Sequence, residues 1–438
     1  MRRVSASLAA LLIALGTWAA AQGITKSDEY RVATMLHDAY DAVRHNYYDP
    51  TFHGLDLDAR YREYDDKLKT AGSLNAGLIM VAGFLEGLKD SHTYFAPPAR
   101  AYRLDYGYRL ALIGDQTFVT RVRPATDAVG KVRVGDRLVA LNGQALTRGN
   151  FESAEYTLNL LQPQPTTRLT LQSPAGDTRE VVVETKIVPG RQFFDLTGPG
   201  ADLDRSDELR QREASDRVNR MRIAELGDVM IWKMPTFLVE NSELDKVCAI
   251  AARHHTLILD LRDNPGGLIE AMRRLVSNLI DHDVTVADEV TRKGRSRILA
   301  RTRGHTGFSG TLIVLIDGGS ASSAELLARV VQLEKRGVVL GDRSAGAVME
   351  TQIFPYAAGG NIKVFYQFAV TYANLLMTDG HSLEGTGVTP DELALPTAAD
   401  LAAGRDPVLS RAAALGGLVL TPVAAGLLFP VEWVPFQS

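Results

Sequence analysis

One cysteine, Cys248, in 438 residues excludes an internal disulfide, so the fold must be held by buried apolar surface. An excess of one charge is missing too. Lys and Arg number 48 against 52 Asp and Glu, a formal net charge of −4, and no basic block stands out. That leaves no electrostatic footprint for nucleic-acid binding. No apolar run near the start is long enough to span a bilayer comfortably, since the first covers only residues 8–15. His45 and His53 lie in turn-rich sequence without recognisable ligand spacing, so no metal site is read there. What the chain does have is 45% apolar residues, enough for sizeable cores, and a length that suits two or three domains.

The amino terminus has the pattern of a secretory signal peptide over 1–21. Arg2 and Arg3 form a basic head, 8–15 the apolar centre, and Ala19, Ala20 and Ala21 a small-residue cleavage site. Export into the periplasm or medium of a bacterium is therefore expected, with no lipid anchor and no membrane segment after cleavage. Residues 22–100 read as a helical segment, in which Val32, Met35, Leu36, Ala39, Tyr40 and Val43 recur at helical spacing. Alternation and turn signals then predict a β-rich domain over 101–190, with an Asn142-Gly143 turn between two strands. Residues 191–228 are a connector of mixed charge. From 229 to 408 strands alternate with helices, which predicts an α/β core with a largely parallel sheet. The tail, 409–438, is strongly apolar, but Pro422, Pro430 and Pro435 argue against a spanning helix. Cys248 reads as a core residue.

Within the α/β core, TLIVLIDGGSASSAE over 311–325 reads as a buried strand, a tight turn and a helix start. A serine at such a junction can expose its hydroxyl beside converging backbone N–H groups. LRDNPGG and GDRSAG lie just beyond two other predicted strands, where ligands gather in sheets of this kind. Ser320, Ser322 and Ser323 are candidate nucleophiles. Such a serine needs a base, a group to orient the base, and donors for an oxyanion. His92 follows an apolar helix far upstream, and Glu384 lies far downstream. Composition alone does not choose among these pieces.

LILDLRDNPGG, LIVLIDGGSASSAELLA, VVLGDRSAG and EGTGVTPD, in that order, resemble the S41 peptidase family of carboxyl-terminal-processing peptidases. HNYYDPTFHGLDLDARYREY looks like the tricorn branch of that family, and KVRVGDRLVALNGQAL resembles a PDZ domain. The resemblance implies a ClpP/crotonase-like α/β catalytic core and a peptide delivered by the PDZ-like domain, around Tyr106, Gly107 and Tyr108. It further implies cleavage of a polypeptide near its carboxyl terminus, without cofactor or metal. Aligned by motif, Ser322 falls on the nucleophile, but the family's lysine base is replaced by Ala347. The tricorn branch instead uses serine, histidine, serine and glutamate. That set maps to Ser322, His92, Ser91 and Glu384, with Asp90 and His381 as competing orienters. Oxyanion donors would be the N–H groups of Ser323 and of Gly266 or Gly267. Homo-oligomerisation is left open. The main alternative is an inactive S41-like peptide-binding or scaffold protein, motivated by Ala347.

Overall fold

The computed structural model describes residues 24–100, 102–189, 220–302, 307–359 and 363–430. The expected signal peptide, most of the charged connector and the end of the apolar tail lie outside the described residues.

Three helices, Lys26–Asn46, Leu57–Leu68 and Leu74–Glu86, open the chain. Each starts on a side-chain cap, Thr25, Asp56 and Ser73 respectively, whose oxygen accepts a backbone N–H of the first turn. The apolar stripe predicted for the first helix is buried at Val32, Met35, Leu36, Ala39 and Val43. It packs with Phe84, Leu85, Phe95 and Phe368 in one cluster, so the helices rest on a sheet formed much later in the sequence.

That sheet is antiparallel; residues 284–300 read as strand-rich and 362–371 as alternating, but their pairing was not legible in advance. It orders Tyr94–Ala96, Val364–Met377, Val284–Thr291 and Gly294–Ala300, with Met349–Ala358 pairing along Val364–Met377. Strand Tyr94–Ala96 comes from the helical segment and pairs with Phe368 and its neighbours. The expectation of a largely parallel sheet holds for a second sheet of six strands. Its order is Glu392–Leu393, Val338–Gly341, Thr311–Ile316, Thr256–Asp260, Val229–Lys233 and Arg222–Leu226. All neighbours are parallel except the last pair. Helices Asn241–Ala251, Ile269–Leu279 and Ser323–Leu333 pack in one core cluster against this sheet, with Cys248 buried among them. Helices Pro407–Leu415 and Pro422–Leu427 contribute to a second cluster, with Ile258, Ile313 and Leu315. Alternation along the strands (Leu257 and Leu259 to the first cluster, Ile258 to the second) explains why each reads as a continuous apolar run.

Between the helices and the six-stranded sheet the chain builds a β-rich unit. Five antiparallel strands follow each other in order, Tyr108–Ile113, Gln116–Val122, Arg137–Leu141, Thr166–Gln172 and Thr178–Glu184. Tyr102–Asp105 pairs with Lys186–Pro189 where the chain enters and leaves the unit. The Asn142-Gly143 turn is present, with φ of 49° and 84°. The strand expected after it shrinks to one bridge between Leu141 and Gln144. The α/β architecture with N-terminal helices and a β-rich part is thus the one expected.

Candidate active site

Three loops leave the carboxyl ends of neighbouring parallel strands, after Asp260, Ile316 and Gly341. They meet beside the first turn of helix Ser323–Leu333. The three candidate serines have different surroundings there. Ser320 is buried, its hydroxyl donating to the Leu261 carbonyl at 2.8 Å and accepting the Asp317 N–H at 2.9 Å. Ser323 is buried and its hydroxyl donates to the Gly267 carbonyl at 2.9 Å. Ser322 alone is partly exposed. It caps the helix with φ 54° and ψ −119°, a conformation that an L side chain adopts only where its surroundings enforce it.

The loop from Asp260 turns its glycines onto this serine. A Cβ on Gly266 would lie 2.7 Å from Ser322 Cβ, and Gly266 has φ +92°. Only glycine fits that approach. The Gly266 N–H donates to Asn264 Oδ1 at 2.8 Å. The Gly267 and Ser323 N–H groups make no hydrogen bond among the described residues. Of the two glycines, Gly267 therefore has the available amide, and the Ser323 amide sits at the positive end of a helix.

His92 arrives from the other side. The turn at 90–93 is fastened to the antiparallel sheet. Asp90 Oδ1 accepts the N–H of His92 at 2.9 Å, the N–H of Thr93 at 2.7 Å and the Thr371 hydroxyl at 2.8 Å. The His92 carbonyl accepts the Thr351 hydroxyl at 3.1 Å. Asp90 thus holds the backbone of the histidine. Its ring is held by Ser91, whose Oγ lies 2.7 Å from His92 Nδ1. The Ser91 hydroxyl donates to Glu384 Oε2 at 2.9 Å, and its N–H to Glu384 Oε1 at 2.7 Å. Glu384 also accepts the Val348 N–H at 2.8 Å. Of the competing orienters, His381 pairs with Asp379, so Glu384 is the group bonded to Ser91.

These bonds fix the tautomer. Ser91 has one hydroxyl proton and gives it to Glu384, so its oxygen accepts from Nδ1–H and the lone pair remains on Nε2. Burial pushes the imidazole below its usual value, offset in part by the charge of Asp90. A neutral imidazole at pH 7 follows. Burial raises the Glu384 carboxyl while three hydrogen bonds, from the Ser91 and Val348 amides and the Ser91 hydroxyl, pull it down. Among the described residues no hydrogen bond joins the Ser322 hydroxyl to the His92 ring, whose partner is Ser91.

The sequence reading passed over Glu325. It is fully buried at 0% exposure and accepts N–H groups of Ser322, Gly346 and Ala347 and the Ser344 hydroxyl. The spacing Ser322-x-x-Glu325, a capping-box signature, was the available signal. Ala347 is buried, and its carbonyl accepts the Ser322 N–H at 2.9 Å. The candidate peptide-binding residues lie in the β-rich unit. Tyr106 belongs to its core and its hydroxyl donates to the Leu158 carbonyl. Tyr108 packs against that core and donates to Thr167 Oγ1, and the Gly107 N–H is taken by Asp105. None of the three is hydrogen-bonded to the serine–histidine arrangement. Among the described residues no group of three or more His, Cys, Asp or Glu side chains could hold a metal ion, and no helix is long and apolar enough to cross a membrane.

Known proteins match this chain along most of its length. Residues 228–394 match the model of peptidase family S41, and 28–74 that of the tricorn protease C1 domain. Carboxyl-terminal-processing peptidase 3 of Arabidopsis thaliana chloroplasts is 24% identical over 389 residues, covering 82% of this chain and 68% of that protein. The carboxyl-terminal-processing protease of Synechocystis sp. is 31% identical over 136 residues, which is 31% of this chain and 30% of its own length. The crystal structure of mature CPAF shares the fold, with a TM-score of 0.64 at 17% identity over 86% of this chain and 94% of that one. The family model covers the three loops around Ser322, the tricorn model covers the first two helices, and residues 228–394 form a peptidase family S41 domain similar to those of the carboxyl-terminal-processing and tricorn-related peptidases.

Proposed function

We infer that this chain is an exported serine peptidase that hydrolyses peptide bonds through an acyl-enzyme on Ser322, with His92 as general base and acid. The observation that carries this reading is the hydrogen-bonded run from His92 Nδ1 through Ser91 to Glu384. It joins residues from opposite ends of the chain, and Glu384 is linked through the Val348 N–H to the segment whose Ala347 carbonyl accepts the N–H of the strained Ser322. His92 Nε2 would take the Ser322 proton as Oγ attacks the scissile carbonyl. The developing oxyanion would rest on the Gly267 and Ser323 amides. His92 would then protonate the leaving amine, and water, activated by the same nitrogen, would release the acyl group. Ser91 and Glu384 hold the ring in the tautomer this needs and stabilise the imidazolium.

The substrate in this reading is a polypeptide cleaved near its carboxyl terminus, as the names of the processing peptidases suggest. It would be presented by a PDZ-like domain at 101–190, with the loop 106–108 as the carboxylate site. The catalytic domain would be 229–408, with a ClpP/crotonase-like core. The helical segment 22–100 would supply His92, 191–228 would be a connector and 409–438 a tail.

The test is hydrolysis of a fluorogenic peptide or casein, and labelling by a fluorophosphonate, in the wild type, Ser322→Ala and His92→Ala. Both variants should lose about 10³-fold or more in turnover, as removal of a serine–histidine pair does elsewhere. Labelling should disappear in Ser322→Ala. Undiminished turnover in either variant would sink the assignment, and an unlabelled, inactive wild type would favour a peptide-binding scaffold.

A further inference from the structure

Five consecutive residues, 344–348, run between the two halves of the site. Glu325 holds one end. Its Oε1 accepts the Ser344 hydroxyl at 2.6 Å and the Gly346 N–H at 2.8 Å, and its Oε2 accepts the Ala347 N–H at 2.9 Å. The fourth donor to the same carboxylate is the Ser322 N–H, at 3.0 Å. The Ala347 carbonyl returns to Ser322 N–H at 2.9 Å. Glu384 holds the other end, since the Val348 N–H donates at 2.8 Å to the carboxylate oxygen that also takes the Ser91 hydroxyl proton. One short backbone segment is thus bonded to the nucleophile on one side and to the histidine's support on the other.

We propose that segment 344–348 is a strap that sets the spacing of Ser322 and His92, and that Glu325 is the positioning residue at its nucleophile end. Three physical points support this. A fully buried carboxylate with four donors cannot let one go without leaving a buried charge or amide unpaired. The positive φ of Ser322 persists only where neighbours over-determine it, and its N–H is fixed from two sides. The strap is also where the family resemblance places a lysine base. With Ala347 there, its backbone N–H and carbonyl, not its side chain, take part. Burial pushes the Glu325 carboxyl up to about 7, and the four hydrogen bonds pull the other way, toward the charged form they bind.

This inference rests on the proposed serine chemistry, and its test separates the two. The rate of fluorophosphonate labelling of Ser322 is measured in the wild type, Glu325→Gln, Glu384→Gln and the double variant, beside thermal unfolding of each. Gln at 325 turns an amide NH₂ toward backbone donors. Labelling should slow by about tenfold or more in Glu325→Gln while the protein stays folded at the assay temperature. The double variant should lose little beyond the slower single variant, because residues acting as one unit are not additive. Ser344→Ala, which removes one donor to the carboxylate and the acceptor of the buried Val388 N–H, should slow labelling by about threefold and serves if Glu325→Gln does not fold. Wild-type labelling with an undiminished rate in both Glu325→Gln and Ser344→Ala overturns the strap alone, as do losses that simply multiply in the double variant. A wild type that is never labelled overturns the strap together with the serine chemistry.

Discussion

The serine side of the site and the histidine side are built in opposite ways. Ser322 sits on a strand–turn–helix unit of the parallel sheet. Its nearest supports come from loops after the two flanking strands, and each strand feeds its loop to the same edge. His92 sits on a turn between a helix and a three-residue strand. It is held by Thr351 of the antiparallel sheet, through Asp90 by Thr371 of the same sheet, and through Ser91 by Glu384, which lies 293 residues beyond Ser91. Parallel topology positions the proposed nucleophile almost by itself, whereas the proposed base depends on long-range pairing. Damage to the serine side should therefore act through chemistry and sterics. Damage to the histidine side should act through orientation.

The sharpest way to break that contrast is Gly266→Ala. The added methyl would stand 2.7 Å from Ser322 Cβ and 2.9 Å from the Ala321 carbonyl, at a φ that alanine resists. Turnover should fall by about 100-fold, because a displacement near 1 Å at a nucleophile costs that much. Stability should fall by about 1–3 kcal/mol from the strained backbone. Kinetics and thermal unfolding of one preparation would check both; wild-type turnover would mean that the loop yields freely. On the histidine side, Glu384→Gln keeps the shape but offers Ser91 a weaker acceptor. Its kcat should drop by about 10- to 100-fold with little change in KM, the signature of a lost orienting contact. A rise in KM at constant kcat would place Glu384 in substrate binding instead.

The same contrast governs what could be read from the sequence. The strands at 256–260 and 311–316 are continuous apolar runs followed by glycine-rich turns, so their nature and the loop positions follow from composition. The choice of Ser322 over Ser320 and Ser323 needed a family motif. In three dimensions it is visible as exposure and backbone strain, since the neighbouring hydroxyls are spent on the Leu261 and Gly267 carbonyls. The pairing that ties the antiparallel sheet to the helical segment escaped because Tyr94–Ala96 is three residues long and its partner lies some 270 residues on. Nothing local marks such a pairing. Glu325 was legible in principle as the third helical residue after a serine cap, but a capping box predicts a helix start. It does not predict a carboxylate that also gathers three donors from another loop.

The smallest expected effect concerns pH, and it probes the histidine side alone. In the proposed mechanism His92 acts as a base only when Nε2 is unprotonated. Burial lowers its pKa from the model-peptide value of 6.5, and the charge of Asp90 opposes that shift. Activity should therefore persist below pH 6.5 and fall only as pH drops through the lowered value. Stability follows with the same sign: below pH 6.5 the unfolded chain binds a proton that the folded site resists, so the fold loses stability as pH falls. Asp90→Asn removes the charge but can keep an oxygen for the His92 and Thr93 amides. The acidic limb of kcat/KM should then move to lower pH by about half a unit, with the plateau changed by less than about threefold. A shift to higher pH would show that Asp90 does not favour the imidazolium. A collapse of the plateau without any shift would show that its hold on the turn outweighs its charge.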